Sequence, residues 1–228
     1  MTDYTLATEG STYAGSVALL RGKEVIAERT LTDRGIPSGD GREERVLPSV
    51  AECLSEAGVR VDRIARIVCG AGPGSFTSLR ISASVAKGIA MGVGCPMFSV
   101  PSLLLSAASV PDRLESGRYL SVLPAMRGEW FALLIEVGEG GSIGFRNGSS
   151  IISGTELGRA AAEREARLLG PGQVIEARPH ARGTSKLLEQ IISGGPVRIE
   201  TWEPDYGRLA EAQVRWEAAH GRPLVAGA

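Results

Sequence analysis

Apolar and polar positions change period along this chain, and the changes mark out its elements. Tyr4 to Thr8 and Gly15 to Leu20 are short apolar runs flanking the polar stretch Glu9-Gly10-Ser11-Thr12, and Lys23 to Arg29 alternates, with Val25 and Ala27 between polar neighbours. Such runs predict strands, and their short connections predict an antiparallel meander. Residues 32–43 hold three glycines, Pro37 and several charges, the composition of an exposed loop. From Glu44 to Ala57 the period becomes helical: Val46, Leu47, Val50, Ala51, Cys53, Leu54 and Ala57 cover one broad arc, and Gly58 ends it. Arg66 to Cys69 is a β-branched run closing on glycine, which predicts a buried strand.

The next stretch organises the rest. Gly72-Pro73-Gly74 turns the chain, Thr77 or Ser78 is placed to cap a helix, and Gly94 with Pro96 ends it. Within that helix Leu79, Ala83, Ala86, Ala90 and Val93 make one apolar stripe. Ile81, Val85, Gly88, Ile89 and Gly92 make a second, leaving only Arg80, Ser84, Lys87 and Met91 between them. A surface helix needs one apolar face, so two predict cover from two sides: the protein's own sheet, and a further element or chain. The glycine turn itself admits two readings, a tight corner between strand and helix or an anion cradle of backbone N–H groups. It is no Walker loop, because the G-x-x-x-x-G-K-[ST] spacing is absent.

Beyond it, Met97 to Val100 predicts a strand and Pro101 to Ser109 a short helix, with Pro111 and Gly117 marking a boundary. Arg118 to Leu123 and Glu129 to Val137 predict strands joined by Met126-Arg127-Gly128, with a further turn at 138–142. Helices are predicted over Thr155 to Arg167 and Thr184 to Ser193, and strands near 167–170 and 197–202. A terminal helix carries Leu209, Ala212, Trp216 and Ala219 on one face, Trp216 serving as a packing anchor. The fold class is mixed α/β.

Composition narrows the chemistry. Hydrophobic residues make up 43% of 228 and charged residues 22%, ordinary for a globule. A net charge of −1 gives no general attraction to nucleic acid or membranes, and between 151 and 190 six Lys/Arg stand against five Glu, so direct nucleic-acid binding by this chain lacks a basic face. Cys53, Cys69 and Cys95 have no C-x-x-C spacing and sit in apolar surroundings, as buried thiols would. His180 and His220 lie apart in polar contexts and read as surface residues, so no metal cluster or Ser-His-Asp arrangement is expected. No signal peptide or membrane span is indicated, and a cytoplasmic location is expected.

Gly72-Pro73-Gly74-Ser75-Phe76-Thr77-Ser78-Leu79-Arg80-Ile81, then Ala86-Lys87-Gly88 and Gly92-Val93-Gly94-Cys95-Pro96, resemble the TsaB (YeaZ) family pattern GPGSFTGLRIG, AKGLA, GxGIP. Leu6-Ala7, Ser11-Thr12, Ser16 to Leu19, Glu44 to Pro48, and Pro204, Tyr206 and Arg208 extend the resemblance at lower density. It implies an actin-like, RNase-H-like (ASKHA) duplicated fold of two lobes: residues 1–110, with a C-terminal helix at 204–228 returning to them, and a smaller lobe at 111–203. It implies a non-catalytic scaffold subunit that binds a TsaD-type catalytic subunit and, indirectly, a TsaE-type ATPase. That assembly threonylcarbamoylates the adenosine beside the anticodon of ANN-reading tRNAs. No cofactor or catalytic residue is expected, the tRNA is met only through the complex, and a homodimer is an option for the chain alone. The helices at 44–57 and 79–93 then supply the partner surface, through Val46, Val50, Ile81, Val85 and Ile89. TsaD resembles this pattern but carries an H-x-x-x-H metal pair where this chain has Ser102 and Ser106. Glu9-Gly10-Ser11 stands where the family has D-T-S, Arg42 where it often has histidine, and Pro124 and Met126 where it has the Asp and Arg of D-A-R. The alternatives are an ATP-dependent actin-like small-molecule kinase and a metallopeptidase-like hydrolase.

Overall fold

The computed structural model describes residues 3–31, 45–208 and 219–220. Strands β1 (Tyr4–Glu9), β2 (Ser16–Arg21) and β3 (Glu24–Thr30) form the expected antiparallel meander. Helix α1 (Val46–Glu56) leads to β4 (Ile64–Gly70), which pairs parallel with β1; α2 (Phe76–Val93) then leads to β5 (Met97–Val100), parallel to β4. The first sheet runs β3-β2-β1-β4-β5. After α3 (Ser102–Ala108) come β6 (Gly117–Ala125), β7 (Glu129–Val137), β8 (Ile143–Phe145) and β9 (Ser150–Ser153), then α4 (Leu157–Glu163), β10 (Ala166–Leu169) and α5 (Thr184–Ser193). The second sheet runs β10-β6-β7-β8, with β9 also on β7. Written β8-β7-β6-β10, with β10 parallel to β6, it repeats the first four places of sheet one. This is an α/β ASKHA-like fold of two mixed sheets.

Side-chain alternation explains the layering. In sheet one Leu6, Val17, Leu19, Ile67, Cys69 and Met97 face α1 and α2, while Ala7, Ala18, Leu20, Val68 and Val100 face the opposite way, toward α3. In sheet two Tyr119, Leu123, Phe131, Leu133 and Ile135 face that same interior, and Leu120, Val122 and Ala132 face α4. Strands covered on both sides read as apolar runs, which is why β1 and β2 carry few polar residues. All seven residues of α3 are buried, wedged between the sheets.

Several expectations are corrected. Leu47 and Ala51 do not join the buried arc of α1; only Val46, Ser49, Val50 and Cys53 are buried, because the helix meets β2 and β3 on one narrow stripe. The helix expected to Arg167 stops at Glu163, since Glu165 takes a positive φ of 52° and residues 166–169 pair with β6. No strand forms at 197–202: the Val197 N–H donates to the Met97 carbonyl, but the N–H groups of Thr201 and Trp202 bond back to Arg198. Residues 204–208 are not helical. The loop at 32–43, Glu44, and the Leu209, Ala212 and Trp216 face lie outside the described residues, and Ala219 is exposed.

Leu105→Ala is expected to lower unfolding free energy by about 2–5 kcal/mol, the cost of a cavity that two sheets cannot collapse to fill. Urea denaturation measures it.

Candidate functional site at the glycine corner

β4 ends in Cys69-Gly70, and the turn that follows is tied down on three sides. The Ala71 N–H donates to the Val100 carbonyl (2.8 Å) and the Ala71 carbonyl accepts from Asp205 (2.8 Å). The Gly72 N–H donates to Ser102 Oγ (3.0 Å), and the Ser102 N–H returns to the Gly72 carbonyl (2.8 Å). The Ser75 N–H donates to the Ser11 carbonyl (2.8 Å). The Gly72–Pro73 peptide is cis. Two glycines are obligatory on contact grounds. A Cβ on Gly72, at φ +87°, would lie 2.0 Å from the Asp205 carbonyl oxygen, and one on Gly74 would lie 2.2 Å from that of Ser11. These groups serve the chain's own backbone, which favours the tight-corner reading over the anion cradle.

Helix α2 begins at Phe76 with Ser75 in the cap position, two or three residues ahead of the expected Thr77 or Ser78 cap. Thr77 is exposed, and Ser78 Oγ lies 3.0 Å from Ser75 Oγ, because the turn closes earlier than hydroxyl spacing suggested. Phe76 stays 38% exposed; its ring meets Tyr206 at 4.5 Å between centroids, with the Arg80 guanidinium 4.1 Å above it.

Glu9 is wholly buried at the end of β1. Its Oε1 accepts from the Ser11 N–H (2.5 Å) and its Oε2 from the Ser102 hydroxyl (2.8 Å). Burial pushes its carboxyl above the ordinary carboxylate range, and the donors of Ser11, Ser102 and the Gly10 backbone pull the other way. Ser102 and Ser106 are both buried. Among the described residues no three His, Cys, Asp or Glu side chains gather where they could hold a metal ion. Pro124 pairs with Trp130, and Met126, 77% exposed, tips the β6–β7 hairpin; Arg42 lies outside the described residues.

The expectation that His180 is a surface residue is overturned. It is buried where the segment before α5 crosses the first sheet: its Nε2 is 3.1 Å from Thr30 Oγ1, and its Nδ1 accepts from the Arg182 N–H (3.1 Å). Alongside, the Ala181 N–H donates to Ser16 Oγ (2.9 Å), the Ser109 hydroxyl to the His180 carbonyl (3.0 Å), and Arg182 to Glu28 (2.9 Å). Desolvation, then the Arg182 charge, lowers the His180 pKa to about 4, against the weaker opposite pull of Glu28. His220 is exposed. Burial raises Cys53 to about 11 and Cys69 to about 12; all three cysteines are free, Cys95 only half-buried against expectation.

Of the expected partner residues, Val46 and Val50 are corrected. They are 5% and 2% exposed, inserted between α1 and the first sheet, and present nothing outward. Ile81, Val85 and Ile89 are half-buried at the margin of the same core. Between them the outer face of α2 is open among the described residues. A Cβ on Gly88 or Gly92 would meet no atom of those residues within 4 Å, and Met91 is 70% exposed.

Comparison with known proteins places this geometry. Residues 38–128 match the family model described as TsaD: tRNA N6-adenosine threonylcarbamoyltransferase. The tRNA threonylcarbamoyladenosine biosynthesis protein TsaB of Escherichia coli K12 is 34% identical over 124 residues, 54% of this chain and 51% of that protein. TsaB of Bacillus subtilis 168 is 30% identical over 59% of this chain and 56% of its own. Over about half its length the chain is similar to TsaB proteins. It spans about half the length of the curated relatives it matches. The solved structure titled YeaZ from Pseudomonas aeruginosa superposes with a TM-score of 0.70 at 24% identity, covering 90% of this chain and 99% of that one, and so shares the fold. A second from the same organism, titled an uncharacterized protein with similarity to peptidase YeaZ, gives 0.72, also at 24%, over 90% of this chain and all of that one. Against TsaB, the Glu9–Ser102 pair is the feature that motif reading missed. The extra methylene of Glu9 was visible, but not the serine it reaches.

Gly74→Ala should detach the first hairpin from the corner and lower Tm by several degrees, read by calorimetry. His180 supplies a pH signature. Its depressed folded pKa means that stability is fully present above its ordinary value of 6.5 and is lost as pH falls toward and through about 4. Urea midpoints across that window should fall more steeply for wild type than for His180→Gln.

Proposed function

We propose that this chain is a non-catalytic subunit in the biosynthesis of threonylcarbamoyladenosine in tRNA, binding a TsaD-type catalytic subunit through the outer side of α2 and the adjoining surface of α1. The TsaB relatives carry that pathway in their names, and the matching family model is that of the transferase itself. The observation that carries the binding role is the open face of α2. Gly88 and Gly92 leave a smooth track, half-buried Ile81, Val85 and Ile89 line it, and exposed Met91 stands beside it. On neighbouring α1, Leu47 is 52% exposed. Apolar surface of this kind on a helix favours association, and glycine lets a second backbone approach closely. In the absence of the transferase, a second copy of this chain is the alternative occupant.

The glycine corner supports the non-catalytic part of the reading. Its backbone groups and the Glu9 carboxylate are engaged by the chain itself, which disfavours the kinase alternative, and serines stand at the positions where the resemblance to TsaD would put metal ligands. The wider assembly then supplies the chemistry and the contact with tRNA.

Gly88→Arg separates folding from binding. Its Cβ meets nothing among the described residues, and replacing a mid-helix glycine favours the helix by up to about 1 kcal/mol, so Tm should hold or rise. Affinity for the TsaD-type subunit of the same cell, measured by calorimetric titration, should fall about tenfold or more. Undiminished affinity would remove α2 from the interface.

A further inference from the structure

We propose that the first hairpin is a small-carboxylate cradle kept filled by the chain's own Glu9, a built-in ligand, and that a free carboxylate will bind there once Glu9 is shortened.

Every group holding the Glu9 carboxylate is a neutral donor. The Ser11 N–H reaches Oε1, the Ser102 hydroxyl reaches Oε2, and the Gly10 backbone contributes from the hairpin; no cation is among them. Converging backbone and hydroxyl dipoles without a counter-charge are how proteins build anion nests, whereas a buried structural carboxylate is ordinarily paired with Arg or Lys. The Ser11 hydroxyl is buried with no other partner, a further donor able to turn to the same point.

Ser102 can donate to Glu9 while it accepts from the backbone. Ser102 Oγ accepts the Gly72 N–H, so its own hydrogen is free to point at Glu9. Both carboxylate oxygens therefore face donors, Ser11 N–H at Oε1 and the Ser102 hydroxyl at Oε2. The site is also shaped around two oxygens. Gly70 carries no side chain where a Cβ would sit 1.9 Å from Glu9 Oε2, so the strand leaves room for the anion. A side chain one methylene shorter would pull back from Ser102, and this chain places a glutamate at that position.

The test uses the full chain carrying Glu9→Ala, melted in chloride, formate and phosphate at matched ionic strength and followed by circular dichroism. The expected result is a saturable rise in Tm with formate of several degrees, absent from wild type and abolished by adding Ser102→Ala. A folded Glu9→Ala protein that responds to formate no more than wild type does, or that responds to phosphate and not to formate, overturns the proposal. Should Glu9→Ala fail to fold in all three salts, Glu9→Gln decides, since it keeps the shape and loses the charge. A Tm several degrees below wild type at neutral pH supports an anion nest, and a Tm equal to wild type overturns it. None of these outcomes depends on α2 meeting a partner, so the subunit reading stands or falls separately.

Discussion

Helix α3 has no face turned to solvent, and that confinement governs what its neighbours can do. Seven residues wedged between two sheets must satisfy every polar group inside the protein, because an unpaired buried donor or acceptor costs about 1–3 kcal/mol. The hydroxyls of Ser102, Ser109 and Ser121 are accordingly committed, while that of Ser106 makes no hydrogen bond among the described residues. Ser102 serves Glu9 and Gly72, Ser121 donates to the Leu103 carbonyl at 2.8 Å, and Ser109 donates to Leu105 at 2.7 Å and to His180. Three leucines in succession, Leu103 to Leu105, fill the space in every direction because the helix is packed all round. A helix so placed joins the two halves of the duplication into one core.

Close approach does the rest. The hairpin at 10–12, the turn at 71–75 and the segment at 205–207 occupy the same small volume, which is possible only because glycines stand at the crossings. A Cβ on Gly10 would lie 2.6 Å from the Ser78 carbonyl oxygen, and one on Gly207 2.4 Å from Phe131. The glycine motif by which the chain resembles TsaB proteins is thus a packing device in this chain. Its glycines let three backbone segments exchange hydrogen bonds directly, and its Phe76 is left at the rim against Tyr206 and Arg80.

Legibility in the sequence followed the range of the forces involved. The meander, α5 at Thr184–Ser193 and the strand-turn-helix junction were readable because periodicity and glycine position are local. Residues 164–169 were not, since Ala166 and Leu169 fit a helical repeat and only pairing with β6 turns them into a strand. Val197 and Ile199 alternate as a strand would, but a single bond to Met97 is all the edge of the sheet offers before the chain turns away. His180, set among Arg178, Pro179 and Arg182, carried every mark of a surface residue. Its burial comes from Ser16, Glu28 and Thr30, more than 140 residues earlier, partners that no local pattern announces. The same holds for Ser102 and Glu9, which lie 93 residues apart.

The way α1 and α2 are covered separates the inner surface of the chain from its outer one. Of five apolar residues expected to face a partner, Val46 and Val50 are spent on the first sheet, while Ile81, Val85 and Ile89 are only half used. A helix that existed only to cap the sheet would need no more than the stripe of Leu79, Ala83, Ala86 and Ala90, and its far side would be free to carry charge. Instead that side carries Gly88, Gly92 and Met91, at positions where glycine weakens the helix and is required by no neighbour among the described residues. Residues that cost stability and meet no neighbour among the described residues point to a use outside them.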